Sequence, residues 1–142
     1  MGAFYLRNYS EDIEKKGANK EFLRSLAHLL LPHVYITSPT TTTDSTQDYN
    51  EVIKVANKLY TTGVCVPILP NPQPQWAGAY EHTTEFWMEY NLQILSRCNA
   101  VFNPNKRSAT AKLEVVEAER LELQVFTSVS SLKDWVTTLN ED

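Results

Sequence analysis

The sequence predicts an α/β domain, with helices layered on the two faces of a parallel β-sheet. Short apolar runs at residues 33–38, 64–68, 99–103 and 124–128 alternate with longer segments whose apolar residues recur every three or four positions. The joints between them are short, Gly63 passing straight into Val64, as crossover helices between parallel strands require. A hydrophobic fraction of 42% over 142 residues, with three Trp, seven Tyr and five Phe, is enough to build the core of one domain.

Taken in order, Ala3 to Arg7 reads as an edge strand or an arm that packs on another subunit, and residues 8–17 as irregular charged chain. Asn19 reads as the N-cap of a helix with Phe22, Leu23, Leu26, Ala27, Leu29 and Leu30 on one face, closed by Pro32. His28 within it has no second ligand at metal spacing and reads as structural. Residues 33–38 form the first strand, and the threonine run that follows is too polar for core and reads as a loop at the sheet's carboxyl edge. Ser45 and Asp48 suit a capping box, after which Tyr49, Val52, Ile53, Ala56, Leu59 and Tyr60 keep helical spacing up to Gly63.

A second strand over 64–68 then leads into residues 69–82, a long loop with three of the seven prolines. Trp76 and Tyr80 make this loop either a lid that stacks on a planar ligand or a segment pinned to the body by its aromatics. Thr83 or Thr84 caps a helix with Phe86, Trp87, Tyr90, Ile94, Leu95 and Cys98 on its apolar face; Asn91 falls on that face and must find partners for its amide, either in a loop that it ties to the helix or in a ligand. After the strand over 99–103, Lys106, Arg107 and Ser108 precede a helix from Ala109 to about Leu123, in which Leu113, Val116, Ala118 and Leu121 are spaced to pack on the sheet. A fourth strand over 124–128 and a closing helix capped by Ser130 or Ser131, with Leu132, Trp135, Val136 and Leu139 inward, complete the chain.

The composition excludes several function classes. A formal charge of −4 and a pI near 5.4, with no basic cluster longer than Lys15-Lys16 or Lys106-Arg107, argue against a nucleic acid polymer as partner, while a small anionic ligand stays compatible. Cys65 and Cys98 have neither disulfide-framework nor zinc spacing, which suits a reducing, cytoplasmic setting. No apolar run approaches the roughly 20 residues that span a bilayer, and acids stand near the N-terminus where a secretory signal has its apolar core, so no membrane partner is expected. In a parallel sheet, ligands sit beyond the carboxyl ends of the strands, where helix N-termini offer unpaired N–H groups. Ser108 and Glu114 fall at such a place, a serine able to meet an anion and a carboxylate able to act as nucleophile or base.

Three stretches in this order, Val34-Tyr-Ile-Thr-Ser-Pro39, the helix from Glu85 through Asn99 leading into Ala-Val-Phe, and Ser108 six residues before Glu114, resemble the nucleoside 2-deoxyribosyltransferase-like family. That family includes nucleoside 5′-monophosphate N-glycosidases and small phage and bacterial relatives. The resemblance covers roughly residues 34–139 and leaves residues 1–32 as an N-terminal extension on a domain of 33–142. It implies a flavodoxin-like three-layer α/β/α sandwich with strand order 2-1-3-4, room for a fifth strand, and a homodimer. It implies no metal and no cofactor. Glu114 is then the nucleophile that attacks the anomeric carbon of a nucleoside or nucleotide, Tyr35 lies by the sugar, and Ser108 contacts a 5′-phosphate. Asn91 occupies the helix position where relatives carry the aspartate that protonates the leaving base, and Asn99 a position where another aspartate is common. Ser38, Thr110, Trp76, Trp87 and Asn99 complete the expected substrate-binding set. Two readings follow: an N-glycosidase or deoxyribosyltransferase, or a nucleotide-binding or protein-interaction module of the same fold without catalysis.

Overall fold

Strands with apolar side chains on both faces belong in the middle of a layered α/β structure, and the chain builds such a sheet. In the computed structural model, which describes residues 31–39, 46–104 and 108–139, the elements run β1 (His33–Ile36), α1 (Thr46–Thr61), β2 (Val66–Ile68), α2 (Pro74–Ala79), α3 (Thr84–Leu95), β3 (Ala100–Phe102), α4 (Ala109–Arg120), β4 (Gln124–Phe126) and α5 (Val129–Leu139). The expectations for residues 1–30, the threonine run, Ser45, Lys106 and Arg107 fall outside the described residues. The described sheet has four strands, all parallel, in the order β2-β1-β3-β4, and no fifth strand occurs among the described residues.

Strand alternation divides the core into two. Val34, Ile36, Ala100 and Phe102 pack with Val52, Ala56 and Leu59 of α1 and with Leu132 and Val136 of α5. Tyr35 and Val101 point the other way, against Leu95 of α3, Cys98 and Ala118 of α4. The layering follows from the strand order. From β1 the chain moves one way to β2, then reverses across β1 to β3 and on to β4, and crossovers of one hand in opposite directions place their helices on opposite faces. Accordingly α1 covers one face and α3 and α4 the other. The reversal also makes the gap between the carboxyl ends of β1 and β3 the topological switch point, where chain leaves the sheet in both directions and where open parallel sheets as a class bind their ligands.

Three expectations are corrected. Residues 69–82 are not loop throughout, since Pro74 opens the short helix α2, its ring placed where a missing N–H costs nothing. Leu113 and Val116 do not pack on the sheet: they are 52% and 63% exposed, and the buried stripe of α4 is Ala111, Glu114 and Ala118, at the same three-and-four spacing but rotated around the helix. The last helix starts at Val129, and its cap is Ser128, whose Oγ accepts the Ser131 N–H at 3.2 Å.

Candidate functional site

Glu114 is the one carboxylate buried among the described residues, and it has no exposed surface. It stands in the second turn of α4, a helix started by Ser108, whose Oγ accepts the Ala111 N–H at 3.1 Å and whose extended backbone lets the chain turn into the helix. From there the carboxylate reaches the end of β1. Oε1 accepts the Ser38 N–H at 2.7 Å, and Oε2 accepts the Ser38 hydroxyl at 3.0 Å and the Tyr35 phenol. Tyr35 is delivered by strand alternation onto the α3/α4 face, and Ser38 lies where β1 leaves the sheet.

The electrostatics are those of a charge held against its burial. Desolvation raises the Glu114 carboxyl above its ordinary value, opposed by the bonds from the Tyr35 hydroxyl, the Ser38 backbone N–H and the Ser38 side chain. Tyr35 is itself raised well above the usual phenol range, first by burial and then by the neighbouring Glu114 charge, so it stays a proton donor to the carboxylate. Burial likewise pushes the Cys65 thiol up to about 12 and that of Cys98 to about 11, so neither free cysteine is a poised nucleophile. Among the described residues no cluster of three or more His, Cys, Asp or Glu is placed to hold a metal ion, and no helix is long and apolar enough to cross a membrane.

The structure brings Tyr35, Ser38 and Glu114 into direct contact, with Ser108 at the start of the same helix and Thr110 buried one turn before the carboxylate. It does not bring Asn91 to them. The Asn91 amide is buried, but Oδ1 accepts the Asn71 N–H at 2.8 Å and Nδ2 donates to the Asn71 carbonyl at 2.7 Å. Both polar ends of the side chain are taken up in fastening the chain after β2 to α3, which is a structural task and not proton delivery. Asn99 is corrected more sharply. It precedes β3, its Oδ1 accepts the His33 N–H at 2.8 Å and its own N–H donates to the His33 carbonyl at 2.8 Å, so it sits at the amino edge of the sheet, opposite Glu114.

Trp76 and Trp87 meet each other edge to face at 4.9 Å, and Trp76 also meets Tyr90 at 5.5 Å. Trp87 is buried and Trp76 half-exposed, so these rings pin α2 onto α3, while His82 stacks on Phe86 at 3.8 Å beside them. A cleft of about 550 Å³ lies on the outer side of α3 and α4, lined by Glu89, Leu92, Glu117 and Arg120 among others; none of the residues bonded to Glu114 lines it.

Two residues at the switch point escaped the sequence reading. Thr37 and Asn103 directly follow β1 and β3, both are buried, and the Thr37 hydroxyl donates to Asn103 Oδ1 at 2.9 Å. The signal was present as a polar residue immediately after each central apolar strand, at the alternation position of Tyr35 and Val101. Comparison of the chain with family models, with curated proteins and with solved structures gives no match.

Proposed function

We propose that this protein cleaves the N-glycosidic bond of a nucleoside or nucleoside 5′-monophosphate, as an N-glycosidase or deoxyribosyltransferase, with Glu114 as nucleophile. The observation that carries this reading is a fully buried carboxylate, held by three donors from the end of β1, at the topological switch point of a parallel sheet. A carboxylate so fixed suits attack on an oxocarbenium-like anomeric carbon: a C–O bond forms to Glu114 as the C–N bond breaks, and its electron pair leaves with the base, which takes a proton from solvent water. Water, or a second base, then displaces the carboxylate. Oε1 carries one hydrogen bond against two on Oε2 and so keeps the greater free lone-pair capacity. Tyr35 and Ser38 hold the carboxylate's orientation and stabilise its charge when it departs as leaving group in the second step.

The reading includes the family resemblance, a homodimer and a cytoplasmic setting, and it calls for no cofactor. Its test is incubation of the pure protein with a panel of (deoxy)nucleosides and their 5′-monophosphates, followed by chromatography for free base. Release of base that is abolished in Glu114→Ala is expected. No release from any substrate, or release unchanged in that variant, overturns the catalytic reading.

One observation favours a second reading, a pocket that binds a nucleotide without cutting it. The Asn91 amide is committed to Asn71, and an amide cannot protonate a leaving base in any case. Saturable binding by calorimetry without turnover is its signature.

A further inference from the structure

We propose that Asn103 is a substrate-contacting amide of this site and that Thr37 is the residue that positions it. The inference rests on the reading of the surroundings of Glu114 as a ligand site, and its own support is geometric. β1 and β3 are paired so that Tyr35 lies beside Val101 and Ile36 beside Phe102, and the ladder runs on past the strand ends through the Thr37 N–H to the Phe102 carbonyl at 3.0 Å. Asn103 is fixed in turn by its N–H to the Phe126 carbonyl at 2.7 Å. Both side chains therefore extend the alternation of Tyr35 and Val101 and lie on the α3/α4 side, the side of Glu114. Thr37 and Ser38 are consecutive, one bonded to Asn103 and the other to Glu114, so one dipeptide at the end of β1 holds both the amide that follows β3 and the carboxylate of α4.

The polarity of the Thr37 bond decides what the amide presents. The hydroxyl donates to Oδ1, so Oδ1 is anchored and the Nδ2 end is the one turned away from Thr37. Asn103 then offers a neutral donor to an acceptor on the ligand, a sugar hydroxyl or ring oxygen or a carbonyl of the base. Neutrality matters in this place. An aspartate there would set a second negative charge in the site that holds the buried Glu114 and raise the carboxyl further, whereas an amide binds without disturbing it.

The test uses the full chain with four 2′-deoxynucleosides and their 5′-monophosphates, reading kcat, KM, calorimetric affinity and melting temperature for the wild type, Asn103→Ala, Thr37→Val and Thr37→Ser. Loss of one neutral hydrogen bond to the ligand raises KM about 3- to 10-fold with kcat changed by no more than about 2-fold in Asn103→Ala and Thr37→Val, and Thr37→Ser, which keeps the hydroxyl, restores the wild-type value. If Thr37→Val does not fold, Asn103→Ser replaces it with the same expected rise in KM, since it removes the amide donor and leaves only a small polar side chain. A lowered melting temperature with KM unchanged shows a latch between strands and overturns the inference. If the wild type binds without releasing base, the catalytic reading fails alone, and the calorimetric Kd replaces KM in the same comparison. If it neither binds nor cuts any of the eight compounds, both readings are overturned.

Discussion

Tyr35 shows how one side chain sets the behaviour of another. Its hydroxyl is one of the donors that hold down the Glu114 carboxyl, so Tyr35→Phe removes a bond to a charged, buried acceptor at a cost of about 1–3 kcal/mol in urea unfolding and raises the carboxyl further. The acid limb of any base-release activity then moves to higher pH, and a limb that stays in place would show that Glu114 is not the titrating group. The stability consequence has a definite sign. Burial raises the folded Glu114 above its unfolded value, so the folded chain holds that proton more tightly; the contribution is complete below the unfolded value of about 4.3 and is lost as pH rises through the raised folded value. In Glu114→Gln this slope disappears, and urea midpoints measured from pH 4 upward should shift in favour of the variant relative to wild type. A shift the other way would contradict the burial argument.

At the scale of the element, α4 carries most of what the site needs, and its two ends are built differently. Ser108 caps the start, whereas the finish passes through Glu122 at φ 62°, with the Leu123 N–H returning to the Ala118 carbonyl at 2.9 Å. The same closure ends α1, where Gly63 takes φ 73°. That conformation is strained for a side chain with a Cβ, so Glu122→Gly should stabilise the protein by about 0.5–1 kcal/mol, read as a higher urea midpoint at unchanged slope. This helix also marks the limit of what the sequence disclosed. The strand order that the family resemblance implies is the order of the sheet, and the places of the four strands and of the longer helices were legible because period and turn residues state them directly. The inward stripe of α4 was not, because ranking residues by polarity favours Leu113 and Val116, while the sheet is in fact approached by two alanines and a carboxylate satisfied by partners distant in sequence. Asn91 was legible as an inward amide, but its partner at Asn71 depends on where the chain after β2 runs, which no local pattern specifies.

For the whole molecule, the sheet separates the α1/α5 core layer from the α3/α4 layer, which combines a second apolar cluster with the buried Glu114 and its donors. Leu132 of α5 is fully buried in the α1/α5 layer, so Leu132→Ala should cost about 2–5 kcal/mol through lost apolar burial and the cavity left behind, while the nucleotide binding proposed above, if the wild type has it, stays as it was per folded molecule. Weakened binding in a variant that is still folded would mean that the two layers are coupled. The central pair of strands is fastened at both extremes, by the reciprocal Asn99 and His33 bonds at the amino edge and by Thr37 and Asn103 at the carboxyl edge. Sliding β1 by one residue along β3 would break both fastenings together and turn Tyr35 into the wrong layer, away from Glu114. Resistance to shear between these two strands and the contact of Tyr35 with Glu114 thus depend on one register, and Asn99, at the far edge from the carboxylate, is among the groups that fasten it.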